Sequence, residues 1–129
     1  MAIYGIGAYF DGERDVSGDF ISNNIVAVGW GIDNAPELHH YLRSLKVGDI
    51  VYIKAAYGGG DITVKGIGII SDNEIREGLE LAPIARNVNW LNTQKFVIPK
   101  PQEKNNVRSN TIYEEFHPEV LKLIINRIR

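Results

Sequence analysis

The sequence contains no cysteine. Disulfides, thiolate metal centres and cysteine nucleophiles are excluded at once, and nothing implies an oxidising compartment. Long apolar runs are also missing. A membrane-spanning helix needs about 20 consecutive apolar residues, and no such stretch exists, so no membrane partner is expected. The first residues, Met1-Ala2-Ile3-Tyr4-Gly5, lack a positive segment followed by an apolar one. No secretion signal is expected, and the expected location is the cytoplasm. Basic excess is lacking too: the formal net charge is -2, against tight binding of nucleic acid through its phosphates alone.

Recognisable catalytic chemistry is equally sparse. None of Ser17, Ser22, Ser44, Ser71 and Ser109 sits in a Gly-x-Ser-x-Gly elbow. The carboxylates are flanked by turn or surface residues, without a pair at the end of an apolar strand where shifted pKa values arise. His39 and His40 are adjacent and point about 100° apart on a helix, so they are not the i, i+4 pair of a zinc enzyme. His117 precedes a helix and reads as a capping or surface group. Asp11, Glu13, Asp15 and Asp19 lack the glycine and terminal glutamate of a calcium loop. No enzyme activity, metal or cofactor is expected.

What is present is the composition of an ordinary globular chain. Its 129 residues, 44% hydrophobic and 23% charged, fit one domain able to bury a core unaided. The chain is organised around Ile25-Val26-Ala27-Val28-Gly29-Trp30-Gly31-Ile32-Asp33. This short β-branched run between Asn23-Asn24 and Asp33-Asn34 predicts a buried strand. Gly29 and Gly31 free the backbone beside Trp30 and mark a close approach, by another strand or by a flat ligand lying on the indole.

The remaining elements follow in order. Residues 2–10 predict a first strand closed by an Asp11-Gly12 turn, and residues 15–22 a short helix that Ser17 could cap. Asn34-Ala35-Pro36-Glu37 predicts a helix start, with Leu38, Tyr41, Leu42 and Leu45 on its buried stripe. A strand over 50–55 places Ile50, Tyr52 and Lys54 on one face and Val51 and Ile53 on the other. Tyr57-Gly58-Gly59-Gly60-Asp61 lacks the Gly-Lys-Ser/Thr of a phosphate loop and reads as a hairpin into a strand over 62–70. Residues 71–83 read as a loop or poorly formed helical turn. Further strands are expected over 85–91 and 94–98, then a flexible surface segment over 99–106. A terminal helix with a wide apolar face follows from Pro118.

Two distributions bear on binding. Residues 1–45 are acidic, whereas Arg86, Lys95, Lys100, Lys104 and Arg108 face only Glu103 over residues 84–108. These five are candidates for backbone contacts along a weak basic face, or part of a mixed solvated surface. Trp30 and Trp90 end or interrupt strands, with Tyr9, Tyr52 and Tyr57 in neighbouring elements. Such aromatics can stack on a base or can simply be core.

The order of these motifs resembles the PUA-like superfamily, and within it the EVE-type small domains of bacterial restriction and defence proteins. The resemblance lies in Asn23-Asn24-Ile25-Val26-Ala27-Val28-Gly29-Trp30-Gly31, Leu45-Lys46-Val47-Gly48-Asp49-Ile50-Val51-Tyr52-Ile53-Lys54, Val64-Lys65-Gly66-Ile67-Gly68-Ile69-Ile70 and Asn87-Val88-Asn89-Trp90-Leu91. It covers residues 2–98 and leaves the segment 98–129, with the terminal helix, outside. It implies an α+β fold with a curved, barrel-like sheet of about five to six strands. It also implies a pocket for a nucleobase, often a modified one flipped from a duplex. Trp30 would form one wall, Lys54 or Tyr57 would lie near the mouth, and Trp90 would be a second wall or core; Gly29, Gly31 and Asp33 are further candidate ligand-binding residues. The expected function is therefore a nucleic-acid-binding module recognising a modified or flipped base in DNA or RNA. The alternatives are a protein-interaction or homodimerising module acting through the terminal helix, and a binder of a free nucleotide-like molecule. No nuclease or helicase segment is recognisable beside it, so action with a partner protein is a further expectation.

Overall fold

The computed structural model describes residues 1–12, 14–55, 60–103 and 107–129. Strands β1 (Ile3–Gly7), β2 (Tyr9–Phe10) and β3 (Arg14–Asp15) come first. Helix α1 (Ser17–Asn23), β4 (Ile25–Val28) and α2 (Pro36–Ser44) follow. Then come β5 (Ile50–Ala55), β6 (Ile62–Glu77), β7 (Ile84–Asn92) and β8 (Phe96–Ile98). A 3-10 turn at Val107–Ser109, β9 (Ile112–Glu114) and α3 (Pro118–Asn126) complete the described elements. The fold class is α+β.

The main sheet runs in the order β4-β7-β6-β5-β1-β9, with β8 paired to β6. Among the described residues its two ends do not pair with each other, so the sheet is open. β1 and β5 are parallel, with Gly7 opposite Lys54, and the remaining pairs in this sheet are antiparallel. β2 and β3 form a separate ribbon. Its turn places Asp11 and Gly12 at φ 57° and 70°, the left-handed region that glycine enters freely and aspartate tolerates.

Alternation along β5 divides the core in two, as period-2 geometry requires. Val51 and Ile53 join Ile6, Phe20, Val26, Val28, Leu42 and Val88 beneath α1 and α2. Ile50 and Tyr52 join Ile3, Val64, Ile67, Tyr113, Val120 and Ile124 beneath α3. The apolar stripe of α3 is thus used within the chain. Asn92 Nδ2 donates to the Arg127 carbonyl at 2.8 Å, and the Arg127 guanidinium lies 4.1 Å from the Phe96 ring centroid, fastening the C-terminal end of α3. Leu121 is half-buried and Ile125 is exposed.

Several expectations change. Residues 71–77 are the distal part of β6 rather than a loop: Ile75, Arg76 and Glu77 pair with Arg86, Ala85 and Ile84. Their polar composition reflects a strand end that runs past the core. Ser17 does not cap α1; its N–H and hydroxyl both donate to Asp15 Oδ1, at 2.9 and 2.7 Å. Asn34 does not cap α2 either, where Ala35 holds the cap position without a side-chain bond.

Candidate functional site

β4 ends at Val28, and the chain leaves the sheet through Gly29, Trp30 and Gly31. This loop is fastened rather than loose. The Gly31 carbonyl accepts from the N–H groups of Asn34 and Ala35 at 3.1 and 3.0 Å. His39 is buried on α2, and its Nε2 donates to the Trp30 carbonyl at 2.6 Å. Trp30 is 54% exposed, an unusual state for a residue whose side-chain burial gains so much free energy.

Gly29 is required by contact and not by conformation. Neither it nor Gly31 has positive φ. A Cβ on Gly29 would sit 2.9 Å from atoms of the Phe10 ring, whereas one on Gly31 would meet nothing. The close approach expected at this tryptophan is therefore made by Phe10, an intramolecular neighbour.

Gly29 and Trp30 line a cavity of about 190 Å³ together with Gly7, Tyr9, Phe10, Asp11, Lys54, Ser109 and Thr111. It lies at the C-terminal end of the parallel pair β1–β5, the end of parallel strands where open sheets commonly bind ligands. Tyr9 is 48% exposed beside it. Among the described residues no ring stacks on either Tyr9 or Trp30. The pairing irregularity in β5–β6 falls between Ile53 and Lys54, a position where a bulge can redirect a side chain.

Lys54 is the half-buried cation of this cavity. Its ammonium donates to the Arg108 carbonyl and lies 5.7 Å from the Tyr113 ring centroid. Burial, and secondarily the Arg108 charge, lowers its pKa to about 8. Behind it stands a buried polar network. Tyr52 Oη donates to Glu115 Oε1 at 2.6 Å, which leaves Tyr113 Oη to donate to Tyr52 Oη at 2.7 Å. Arg108 donates from Nε to Glu115 Oε1 at 3.0 Å, and also reaches Glu115 Oε2 and Glu103. Burial foremost, reinforced by Glu115, pushes the Tyr52 phenol far above its usual range. Tyr52 is therefore a neutral hydrogen-bonding group. The network fixes the segment that supplies Ser109 and Thr111 to the cavity.

The predicted site residues separate into groups. Trp30, Gly29 and Lys54 come together in one cavity. Gly31 and Asp33 do not line it, and Tyr57 lies outside the described residues. Trp90 belongs to the core periphery: its Nε1 donates to the Phe20 carbonyl at 3.1 Å, and its ring covers Gly66 and Gly68. It is no second wall of this cavity.

Two of the proposed backbone-binding residues are likewise corrected. Arg86 is 1% exposed and spends its guanidinium on the carbonyls of Leu42, Arg43, Leu45 and Asp72. Arg108 is 2% exposed and engaged as above. Neither can meet a phosphate in solvent. Lys95 and Lys100 are exposed; Lys104 lies outside the described residues.

Sequence reasoning missed His39, Phe10, Asp11, Ser109 and Thr111. The signal for Asp11 and Phe10 was present in the turn after Tyr9, but only a fold brings that turn beside Gly29. Among the described residues no group of His, Asp and Glu gathers to hold a metal. No family model matches the chain, and no curated protein matches it significantly. Function is therefore read from geometry.

Proposed function

We propose that this chain is a nucleic-acid-binding module of the PUA-like, EVE type, whose cavity beside Trp30 receives a single flipped or modified base. One observation carries the reading: an exposed indole, on a loop tied down by His39, borders a small polar cavity. Its volume is below the roughly 300–1,000 Å³ of pockets for drug-sized ligands, a size for one ring system. Stacking offers affinity without phosphate contacts, which suits a chain with net charge -2. The register shifts in β5–β6 and β6–β7 are of the kind that bends strands, which suits the curved sheet of that superfamily.

Recognition through α3 has less support, because Val120 and Ile124 are already buried against the sheet. The test is fluorescence anisotropy with labelled single-stranded oligonucleotides bearing modified or unmodified bases. Trp30→Ala is expected to weaken binding about 5- to 150-fold, the range of one base–aromatic stack. Equal affinity of variant and wild type would remove the indole from the site.

A further inference from the structure

We infer that Lys54 makes this cavity select bases carrying a keto oxygen opposite the glycosidic bond, namely uracil, thymine, guanine or hypoxanthine, over cytosine and adenine. The inference rests on the base-binding reading above. A base still attached to its strand enters edge first, with the glycosidic bond toward the mouth. The group that travels furthest in is the substituent at pyrimidine C4 or purine C6. That substituent is a carbonyl oxygen in one set of bases and an amino group in the other.

Lys54 is placed to read it. Its side chain passes over Gly7, where a Cβ would lie 3.8 Å from Lys54 Cε and 3.9 Å from Nζ. Trp30 and Tyr9 are about half exposed at the rim, whereas Lys54 is half-buried between β1 and the Tyr113 ring. An ammonium carries three N–H donors and no acceptor. The Arg108 carbonyl takes one. A keto oxygen arriving there accepts a charge-assisted bond. An amino group brings donor against donor and leaves both without the water they gave up.

The other lining groups do not reverse this preference. Thr111 has a hydroxyl that serves as donor or acceptor and accommodates either class. Asp11, the acidic lining residue, is exposed. Its formal charge offsets that of Lys54, which suits a neutral ring better than a phosphate.

The experiment compares two labelled single strands, identical except for one central uracil or cytosine flanked by abasic positions, and a second pair with hypoxanthine or adenine. Wild type is expected to prefer the keto member by about ten- to a hundredfold, the size of one hydrogen bond to a charged group. In Lys54→Met the preference should collapse below about twofold. Lys54→Gln, whose amide can turn to accept or donate, should do the same and replaces Lys54→Met if that variant does not fold. Equal wild-type affinity for both members, or a preference retained in the variants, overturns the inference while leaving base binding in place. Failure of wild type to bind any of the strands overturns the base-binding reading and this inference with it.

Discussion

At the scale of single residues, the site depends on contacts that a sequence pattern does not display. Gly29 is the clearest case, because the Phe10 ring occupies the space of its missing side chain. Gly29→Ala must displace that ring, which also packs edge-on against Phe20 with centroids 6.0 Å apart. Overpacking of this kind costs about 1–3 kcal/mol. A fall in the urea midpoint at constant slope is expected for Gly29→Ala and not for Gly31→Ala, whose Cβ would meet open space. Equal loss in both variants would refute the contact explanation. Trp30 was legible because a glycine-flanked tryptophan is conspicuous, whereas Lys54 entered only through the family resemblance. His39 was not, since its partner is a backbone carbonyl nine residues away. The burial of Arg86 had a faint signal in its position between Ala85 and Val88 on a strand, but its carbonyl acceptors come from α2, the Leu45 that follows it and β6.

At the scale of elements, α2, α3 and the β5–β6 pair were readable because local patterning agrees with the fold. Pro36 and Pro118 stand in first helical turns, and Leu42, Val120 and Ile124 point into the core. The distal part of β6 was not readable, because exposed strand ends carry polar residues like those of loops. The start of α1 shows how tertiary partners reassign a cap. Burial acts to raise the pKa of Asp15, but hydrogen bonds from Lys65 and from the Ser17 side chain and backbone outweigh it and hold the carboxyl at about 2. Because the folded value lies below the unfolded one, this stabilisation is present above about pH 4 and disappears as pH falls toward 2. The pair is 44% exposed on the Asp15 side, so screening limits the effect to under about 1 kcal/mol. Asp15→Asn should lower the thermal midpoint at pH 6, by an amount that shrinks as pH falls toward 2; a gap as large at pH 2 as at pH 6 would contradict the assignment.

At the scale of the whole molecule, two buried cations anchor the fold, Arg86 across elements distant in sequence and Arg108 across a local turn. Arg86 draws the C-terminal end of α2 to β6 and β7, and Arg108 draws the segment before β9 to Glu115. Arg108→Met leaves the Glu115 carboxylate buried without its cation, at a cost of about 3–5 kcal/mol. Arg108→Met combined with Glu115→Leu should recover much of that loss, as measured by chemical denaturation. Strict additivity of the two substitutions would mean that the groups do not act as a pair. The Arg108 connections hold Ser109 and Thr111 beside Lys54 and the Trp30 loop, and nothing in local sequence foretold the part of Ser109 and Thr111.

The central claim is that the Trp30 indole stacks on a base. The most direct measurement is intrinsic tryptophan emission during titration with short single-stranded oligonucleotides, modified and unmodified, at low and moderate salt. Saturable quenching that differs among bases and persists at moderate salt, and that is abolished in Trp30→Ala, is the expected result. Quenching of equal amplitude and affinity in Trp30→Ala, or none in wild type with any strand, would contradict it.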